Sequence, residues 1–266
     1  MKMKKYILVC AAFVLMVVML AGCGNASGME KDTTEVLAVS AEAPAPEQTI
    51  APEETAVEED FEYEMEASTY YIEMVYPKQI ARYHTALVEK WNEEKCFENG
   101  ISEVITAYYE GNPLENVGFG FVDLDNDGYW ELIIGAIQDA EMEPTVFEIW
   151  TLADGEPVML AQAGARIQYT LQYVEEDNMW YVAKEGANSA FNHATYYLML
   201  NEGEFEVVQG IVYDAAADEE NPWSMTYDLD WDVSNDQPID EETAYAILES
   251  NRQHYTALEL FPYIYY

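Results

Sequence analysis

The chain has 266 residues, half of them hydrophobic, with 51 acidic and 11 basic side chains and a formal net charge of -40. It is long enough to bury one sizeable hydrophobic core. Its charge argues against nucleic acid and anionic lipid headgroups as partners, because both are bound through basic surfaces. Bound cations would relieve the self-repulsion of so acidic a protein.

Residues 1–22 have the pattern of a bacterial signal peptide. Lysines at positions 2, 4 and 5 precede an apolar stretch from Tyr6 to Leu20. The sequence Leu20-Ala21-Gly22-Cys23 resembles the lipobox of bacterial lipoproteins. That resemblance implies cleavage before Cys23 and diacylation of its sulfur. Two acyl chains anchor a protein stably, so we expect a lipid-anchored protein on the extracellular face of the cell membrane.

Residues 23–66 are predicted to be a disordered, acidic tether. The segment contains Ala-Pro-Ala-Pro at positions 43–46 and many acidic residues, and its apolar residues follow no helical or strand period. Such a composition buries too little apolar surface to offset the entropy cost of ordering. The remaining residues, 67–266, are predicted to form a single α+β globular domain.

Helical patterns flank this predicted domain at both ends. Pro77 suits a first helical position, and the apolar residues of 80–91 recur at helical spacing. A second pattern covers Phe97–Tyr108 and is interrupted at Asn99-Gly100, and a C-terminal helix is predicted to begin at Asp240 as its N-cap.

Between these helices the apolar period changes to that of β-strands. Short strands separated by turn signals such as Asp154-Gly155 predict an antiparallel meander. The predicted fold is therefore α+β, with N-terminal helices followed by an antiparallel β-meander and a C-terminal helix. The predicted strands are Phe119–Leu124, Trp130–Ile137, Val146–Leu152, Val158–Ala163, Ile167–Val174, Trp180–Ala183, Tyr196–Leu200 and Glu204–Tyr213.

The strongest local motif lies between the first two predicted strands, where acidic residues alternate before a glycine. Calcium takes six to eight oxygen ligands and favours carboxylates. Gly128 would provide the sharp turn that lets alternate side chains meet at one centre. The predicted calcium ligands are three carboxylates, the Tyr129 backbone carbonyl and a fourth carboxylate, from Asp123, Asp125, Asp127, Tyr129 and Glu131. The alternative is a hairpin turn that uses Asp, Asn and Gly without binding metal; magnesium suits an all-protein site less well.

The spacing of this motif distinguishes between known classes of calcium loop. An EF-hand needs a bidentate acid at loop position twelve, which here is Ile134. An acid at position nine, between two strands, resembles the FG-GAP loops of integrin-type propellers. A propeller needs several repeats, and the sequence contains one. A second acidic stretch, Asp228–Asp232, has alternating acids but no glycine, and we interpret it as a solvated loop with weak potential for a second ion.

A wider resemblance extends over residues 80–262. The chain is similar to an uncharacterised group of surface lipoproteins of gut Firmicutes. That resemblance implies the same arrangement of helices, calcium loop and meander but no established activity. It is carried by Asn99-Gly100-Ile101, Tyr108-Tyr109, residues 113–118, Glu131–Gly135, Tyr169, Glu185–Ser189 and Glu241–Ala244.

The sequence favours a binding module for a glycan or peptide over an enzyme. It has no G-x-S-x-G or H-E-x-x-H motif. An extracellular hydrolase of glycans or peptides is the alternative, with His193 as its best single candidate, and an envelope-structural or envelope-sensing role is a third. Exposed aromatic residues would meet the ligand, and the candidates are Trp180, Tyr181, Trp223 and Trp231. Cys96 is expected to be a buried structural thiol.

Mass spectrometry of the mature protein tests the membrane anchor. We expect the chain to begin at Cys23, with a diacylglyceryl group on its sulfur. An unmodified Cys23, or intact residues 1–22, would contradict the lipoprotein hypothesis.

Overall fold

The computed structural model describes residues 68–137 and 145–266. These residues belong to the compact unit Ala67–Tyr266. The predicted signal peptide, Cys23 and the predicted tether lie outside the described residues. No helix in the described part of the chain is long and apolar enough to cross a membrane.

The predicted α+β class is wrong, because the unit is a β-rich fold. Within the described residues, eleven strands form one antiparallel sheet in the order β10-β9-β8-β7-β6-β5-β3-β2-β1-β11, and β4 pairs with β3. The strands are β1 Val117–Val122, β2 Glu131–Ala136, β3 Val146–Ala153, β4 Glu156–Gln162, β5 Ile167–Val174, β6 Met179–Ser189, β7 Asn192–Asn201, β8 Glu204–Asp214, β9 Trp223–Thr226, β10 Gln237–Pro238 and β11 Phe261–Pro262.

The helices in the described residues are short. They are a π-helical turn Tyr71–Val75, α1 Pro77–Glu89, α2 Glu93–Glu98, α3 Pro113–Asn116 and α4 Glu241–Arg252, together with 3₁₀ turns at Glu103–Tyr108, Val233–Asn235 and Tyr263–Tyr265. The helical pattern predicted over Phe97–Tyr108 is broken at the predicted interruption, and the part after it is a 3₁₀ turn, Glu103–Tyr108. Gly100 has a left-handed φ of 62°, and Phe97, which the periodicity assigned to a buried face, is 80% exposed.

The first helix packs on one face of the sheet. Its apolar stripe, including Ile80 and Tyr83, is fully buried and contacts a cluster that contains Phe119 of β1 and Leu132 and Ile134 of β2. Burial of such side chains contributes roughly 1.5–3 kcal/mol each to folding. The N-terminal segment is therefore held against β1 and β2, the two strands that flank the acidic loop.

A second cluster lies on the other side of β2. It contains Ile133 of β2, Ile149 of β3, Leu171 of β5 and Leu198 of β7. Every residue of β2 is buried, because the strand contributes alternate side chains to both clusters. The uninterrupted apolar run after Glu131 reflects this two-sided burial.

A buried carboxylate fixes the first helix to the third strand. Glu148 of β3 has no exposed surface. It accepts hydrogen bonds from Trp150 Nε1 at 2.8 Å, Gln162 Nε2 at 2.9 Å and the Ser102 amide at 3.3 Å. Arg82 of α1 completes the group with a 3.3 Å ion pair. Burial raises the pKa of Glu148, and these donors and the guanidinium oppose that rise.

Replacing this carboxylate should destabilise the fold strongly. Glu148→Ala removes the counter-charge of the Arg82 guanidinium and the acceptor of the Trp150 indole, which should lower the free energy of unfolding by roughly 3 kcal/mol or more. Urea unfolding at constant calcium measures the change. Glu156→Ala, at an exposed position of β4, is the matched control and should change it by less than about 0.5 kcal/mol. Equal values for the two variants would contradict this role.

Candidate metal centre

The acidic loop connects β1 to β2 at the end of their hairpin. The last strand pair joins Val122 to Glu131, so residues 123–130 form the connection. Asn126 and Gly128 adopt left-handed backbone conformations, with φ of 58° and 89°. Glycine takes that conformation without strain, and asparagine tolerates it better than most residues. These two positions curl the chain back on itself.

The first aspartate of the motif closes the curl. Asp123 accepts hydrogen bonds from the Asp127 amide and the Gly128 amide, each at 3.0 Å. Asp127 in turn accepts one from the Tyr129 amide at 2.7 Å. Short acidic side chains favour such local bonds to the backbone. The alternating aspartates therefore shape the loop through their own chemistry.

Three carboxylates converge inside the loop. Asp123, Asp125 and Glu131 each place an oxygen within 4.8 Å of the other two. Burial raises the pKa of Asp125, and the carboxylates of Asp127 and Asp123 add to that rise. Three negative charges this close repel one another. A bound cation would attract all three carboxylates and so outweigh their mutual repulsion.

Glu131 is the buried member of this group, with only 2% of its surface exposed. One of its oxygens accepts a hydrogen bond from the Leu124 amide at 2.8 Å, and the other accepts one from the Thr151 hydroxyl at 2.8 Å. Burial is the main reason that its pKa rises to about 7, with the Asp125 and Asp127 carboxylates adding to the rise. No basic side chain of the described residues pairs with it.

Asp125 contributes an atom whose hydrogen-bonding capacity is unused. Its Oδ1 is inaccessible to solvent and has no hydrogen-bond partner among the described residues. A buried polar atom of this kind costs about 1–3 kcal/mol when unpaired. Coordination of a cation would satisfy it.

The ligand atoms indicate the class of metal. All three side chains offer carboxylate oxygens, the hard donors that suit calcium, magnesium or manganese over zinc. Calcium accepts irregular geometry and partly shared carboxylates, whereas magnesium demands near-ideal octahedra and keeps its waters. Both oxygens of the Asp123 and Glu131 carboxylates already accept backbone or hydroxyl hydrogen bonds. An ion would have to share these oxygens in an irregular loop, which suits calcium better than magnesium.

The loop is tied to distant parts of the unit. Trp130, its last residue, donates its amide to the Tyr71 hydroxyl and accepts from the Tyr76 hydroxyl, both at 3.0 Å. In the middle of the loop, the Asn126 side chain donates to the Asn178 carbonyl in the β5–β6 turn at 3.1 Å. Ordering of this loop therefore fixes the N-terminal helical segment, β3 and a second hairpin together.

The structure brings three of the five predicted ligands together. Asp123, Asp125 and Glu131 meet, whereas the exposed Asp127 is not part of that group. The Tyr129 side chain is 59% exposed, which leaves its backbone carbonyl as the predicted ligand. Metal binding by all five residues stays a prediction.

Sequence reasoning did not identify Thr151 as a partner of this site. Its hydroxyl is buried and bonds Glu131 across 20 positions of sequence. Only the pairing of β2 with β3 brings the two side chains together, and no local motif marks the threonine.

The second acidic loop has a different geometry. Asp228, Asp230 and Asp232 each accept a hydrogen bond from the amide two residues later, at 2.9–3.2 Å. Among the described residues, their carboxylates are not part of a group of three metal-ligating side chains. They form successive local turns.

His193, the candidate for catalysis, and His84 both contact aromatic rings. His193 stacks on Tyr213 at 4.8 Å and meets Trp223 edge-on, and burial lowers its pKa. His84 packs beside Tyr263 and Tyr266. These contacts give the two histidines a packing role.

The aromatic residues proposed as ligand contacts are mostly covered. Tyr181 and Trp223 are 7% and 6% exposed, and Trp180 and Trp231 pack against the second cluster. Cys96 is a buried free thiol.

No protein-family model, curated protein or solved structure was found to match the chain.

The raised pKa of Glu131 predicts how the metal-free protein responds to pH. Below about pH 4.5 this carboxyl is protonated in both the folded and the unfolded chain. As pH rises from about 4.5 to about 7, the unfolded chain ionises this carboxyl while the folded chain keeps it protonated, so its stabilising contribution falls by about 3 kcal/mol. Glu131→Gln keeps both hydrogen bonds, because its carbonyl can accept from Leu124 and its amide can donate to Thr151.

Urea unfolding in EGTA at pH 4.5 and pH 8 measures this effect. We expect Glu131→Gln to match the parent protein at pH 4.5 and to exceed it in free energy of unfolding by about 3 kcal/mol at pH 8. A difference that does not change with pH would contradict the assignment of a raised pKa to Glu131.

Proposed function

We propose that this chain is a lipid-anchored extracellular domain that is stabilised by one calcium ion and acts as a binding module. The observation that carries the calcium part is the convergence of Asp123, Asp125 and Glu131, with the Asp125 Oδ1 atom buried and unpartnered. The ion would neutralise the three carboxylates. Calcium would thereby lock the hairpin that connects the two hydrophobic clusters, coupling metal binding to folding.

The proposed location agrees with this chemistry. The Leu20–Cys23 motif predicts export and anchoring, and the extracellular medium supplies calcium near the affinities of extracellular modules, about 10⁻⁴–10⁻³ M or tighter. The net charge of -40 also favours a compartment rich in divalent cations. The binding-module part rests on the absence of a catalytic motif in the sequence and on the packing role of His84 and His193.

Thermal unfolding in EGTA and in about 2 mM calcium tests the metal site. At a dissociation constant of about 0.1 mM, this calcium concentration would add roughly 2 kcal/mol of stability. For a unit of this size the melting temperature should rise by roughly 4–7 °C. Magnesium at the same concentration should produce a smaller shift.

Two variants make the thermal test specific to the loop. Asp125→Asn removes the charge of the central ligand and should abolish most of the calcium shift. Asp177→Asn, in the exposed β5–β6 turn, is the matched control and should keep it. An identical melting temperature in EGTA and calcium for the parent protein would refute the calcium proposal.

A further inference from the structure

The sheet divides into two branches at β3. One edge of β3 pairs with β2. On its other edge, β3 pairs with β4 from Glu148 to Ala153. At the beginning of β3, Val146 pairs with Tyr169 of β5, and the sheet continues from there through β6 and β7. A cavity of about 420 Å³ is lined by residues of β4 and by residues of β5, β6, β7 and β8. Its volume lies within the range of small-molecule sites, about 300–1,000 Å³.

The walls of this cavity are mainly apolar. Leu160 of β4, Leu198 of β7 and Phe205 of β8 line it and belong to or pack against the second hydrophobic cluster. Met159 and Leu229, which also line it, remain 39% and 40% exposed. The cavity therefore offers an apolar lining that solvent still reaches, and an apolar ligand would cover it.

One cationic side chain lies among these apolar residues. Lys184 of β6 pairs with Tyr169 on β5 and with Tyr196 on β7, and its Nζ lies 5.8 Å from the centre of the Tyr196 ring. Its ammonium has no hydrogen bond or ion pair with any described residue. Burial alone lowers its pKa, since no neighbouring carboxylate opposes the effect.

Carboxylates greatly outnumber basic side chains in this sequence, with 51 acidic and 11 basic residues, yet no described carboxylate pairs with Lys184. Three other basic side chains are paired: Arg82 with Glu148 at 3.3 Å, Lys95 with Glu89 at 2.8 Å and Arg252 with Glu185 at 3.8 Å. A half-buried ammonium without a counter-charge is costly. An anionic group on a ligand would supply that charge.

A second polar group lies beside the lysine. Tyr169 lines the same cavity and is 8% exposed. Its hydroxyl makes no hydrogen bond with a described residue. Burial raises its pKa, so the hydroxyl stays protonated and able to donate. Lys184 and Tyr169 together provide two donors for one anionic group.

We propose that this cavity binds a small monocarboxylic acid with an apolar chain or ring. The carboxylate pairs with Lys184 and accepts from the Tyr169 hydroxyl, while the apolar body packs against Leu198 and Phe205. A single negative charge fits because one lysine lines the cavity, while the exposed Glu202 and Glu204 carboxylates, which also line it, repel additional charge. This proposal rests on the binding-module part of the proposed function and is independent of its calcium part.

Calorimetric titration of residues 23–266 in about 2 mM calcium tests the cavity. The probes are butanoate, hexanoate and 3-phenylpropanoate, with 3-phenylpropanamide as the uncharged match of the last. We expect at least 3-phenylpropanoate to bind with a dissociation constant on the order of 1 mM or below. The amide should bind at least about tenfold more weakly, because it lacks the charge that pairs with Lys184.

Variants assign the binding to the cavity. Lys184→Met keeps the aliphatic side chain and should weaken acid binding at least about tenfold while hardly changing amide binding. Lys78→Met, at an exposed position of α1, is the control and should leave both affinities unchanged. Tyr169→Phe removes only the hydroxyl and should weaken acid binding severalfold, which provides a second test if Lys184→Met fails to fold.

Two results would overturn the proposal: no binding of any acid up to about 10 mM, or equal acid affinities for the parent protein and both cavity variants. Either result alongside an intact calcium shift of the melting temperature would refute the cavity ligand and leave the metal site standing. Acid binding without a calcium shift of the melting temperature would support the cavity ligand and refute the metal site.

Discussion

The buried carboxyl of Glu131 is the constraint on which the loop and its surroundings depend. It begins β2, accepts hydrogen bonds from the loop amide of Leu124 and from Thr151 of β3, and has a pKa raised to about 7. The side chain therefore joins the loop to the sheet at a point where burial disfavours its charge. Because Trp130 beside it bonds Tyr71 and Tyr76, whatever stabilises the ionised carboxylate also stabilises the packing of the N-terminal segment.

Two buried glutamates in neighbouring strands show how this fold treats negative charge. Glu148 lies against the Arg82 guanidinium and three hydrogen-bond donors. Glu131 has two donors, and the charges nearest to it belong to Asp123 and Asp125. A buried charge needs a counter-charge to be stable. Glu148 has one within the protein, whereas Glu131 would obtain one from a cation, and by the same reasoning Lys184 would obtain one from an anion.

Local signals in the sequence predicted local structure well and the fold class poorly. Alternating aspartates and Gly128 indicated a curled loop between two strands, because short-range hydrogen bonds to the backbone shape it. Over Phe97–Tyr108 the predicted interruption at Asn99-Gly100 is present, with Gly100 left-handed, but the helical periodicity after it was misleading, since Ser102 caps a 3₁₀ turn there. The β-rich class, the partner Thr151 and the cavity beside Lys184 depend on how whole strands pair and on where their side chains then meet, which a local pattern does not encode.

A crystal structure of the protein grown with calcium, with anomalous scattering data, would show directly whether an ion neutralises the Glu131 carboxylate. We expect one calcium peak within the loop, bound to oxygens of Asp123, Asp125 and Glu131 at about 2.3–2.6 Å, with the Asp125 Oδ1 atom among its ligands. An ordered loop without such a peak, with Glu131 still bonded to Leu124 and Thr151 and Asp125 unliganded, would contradict it.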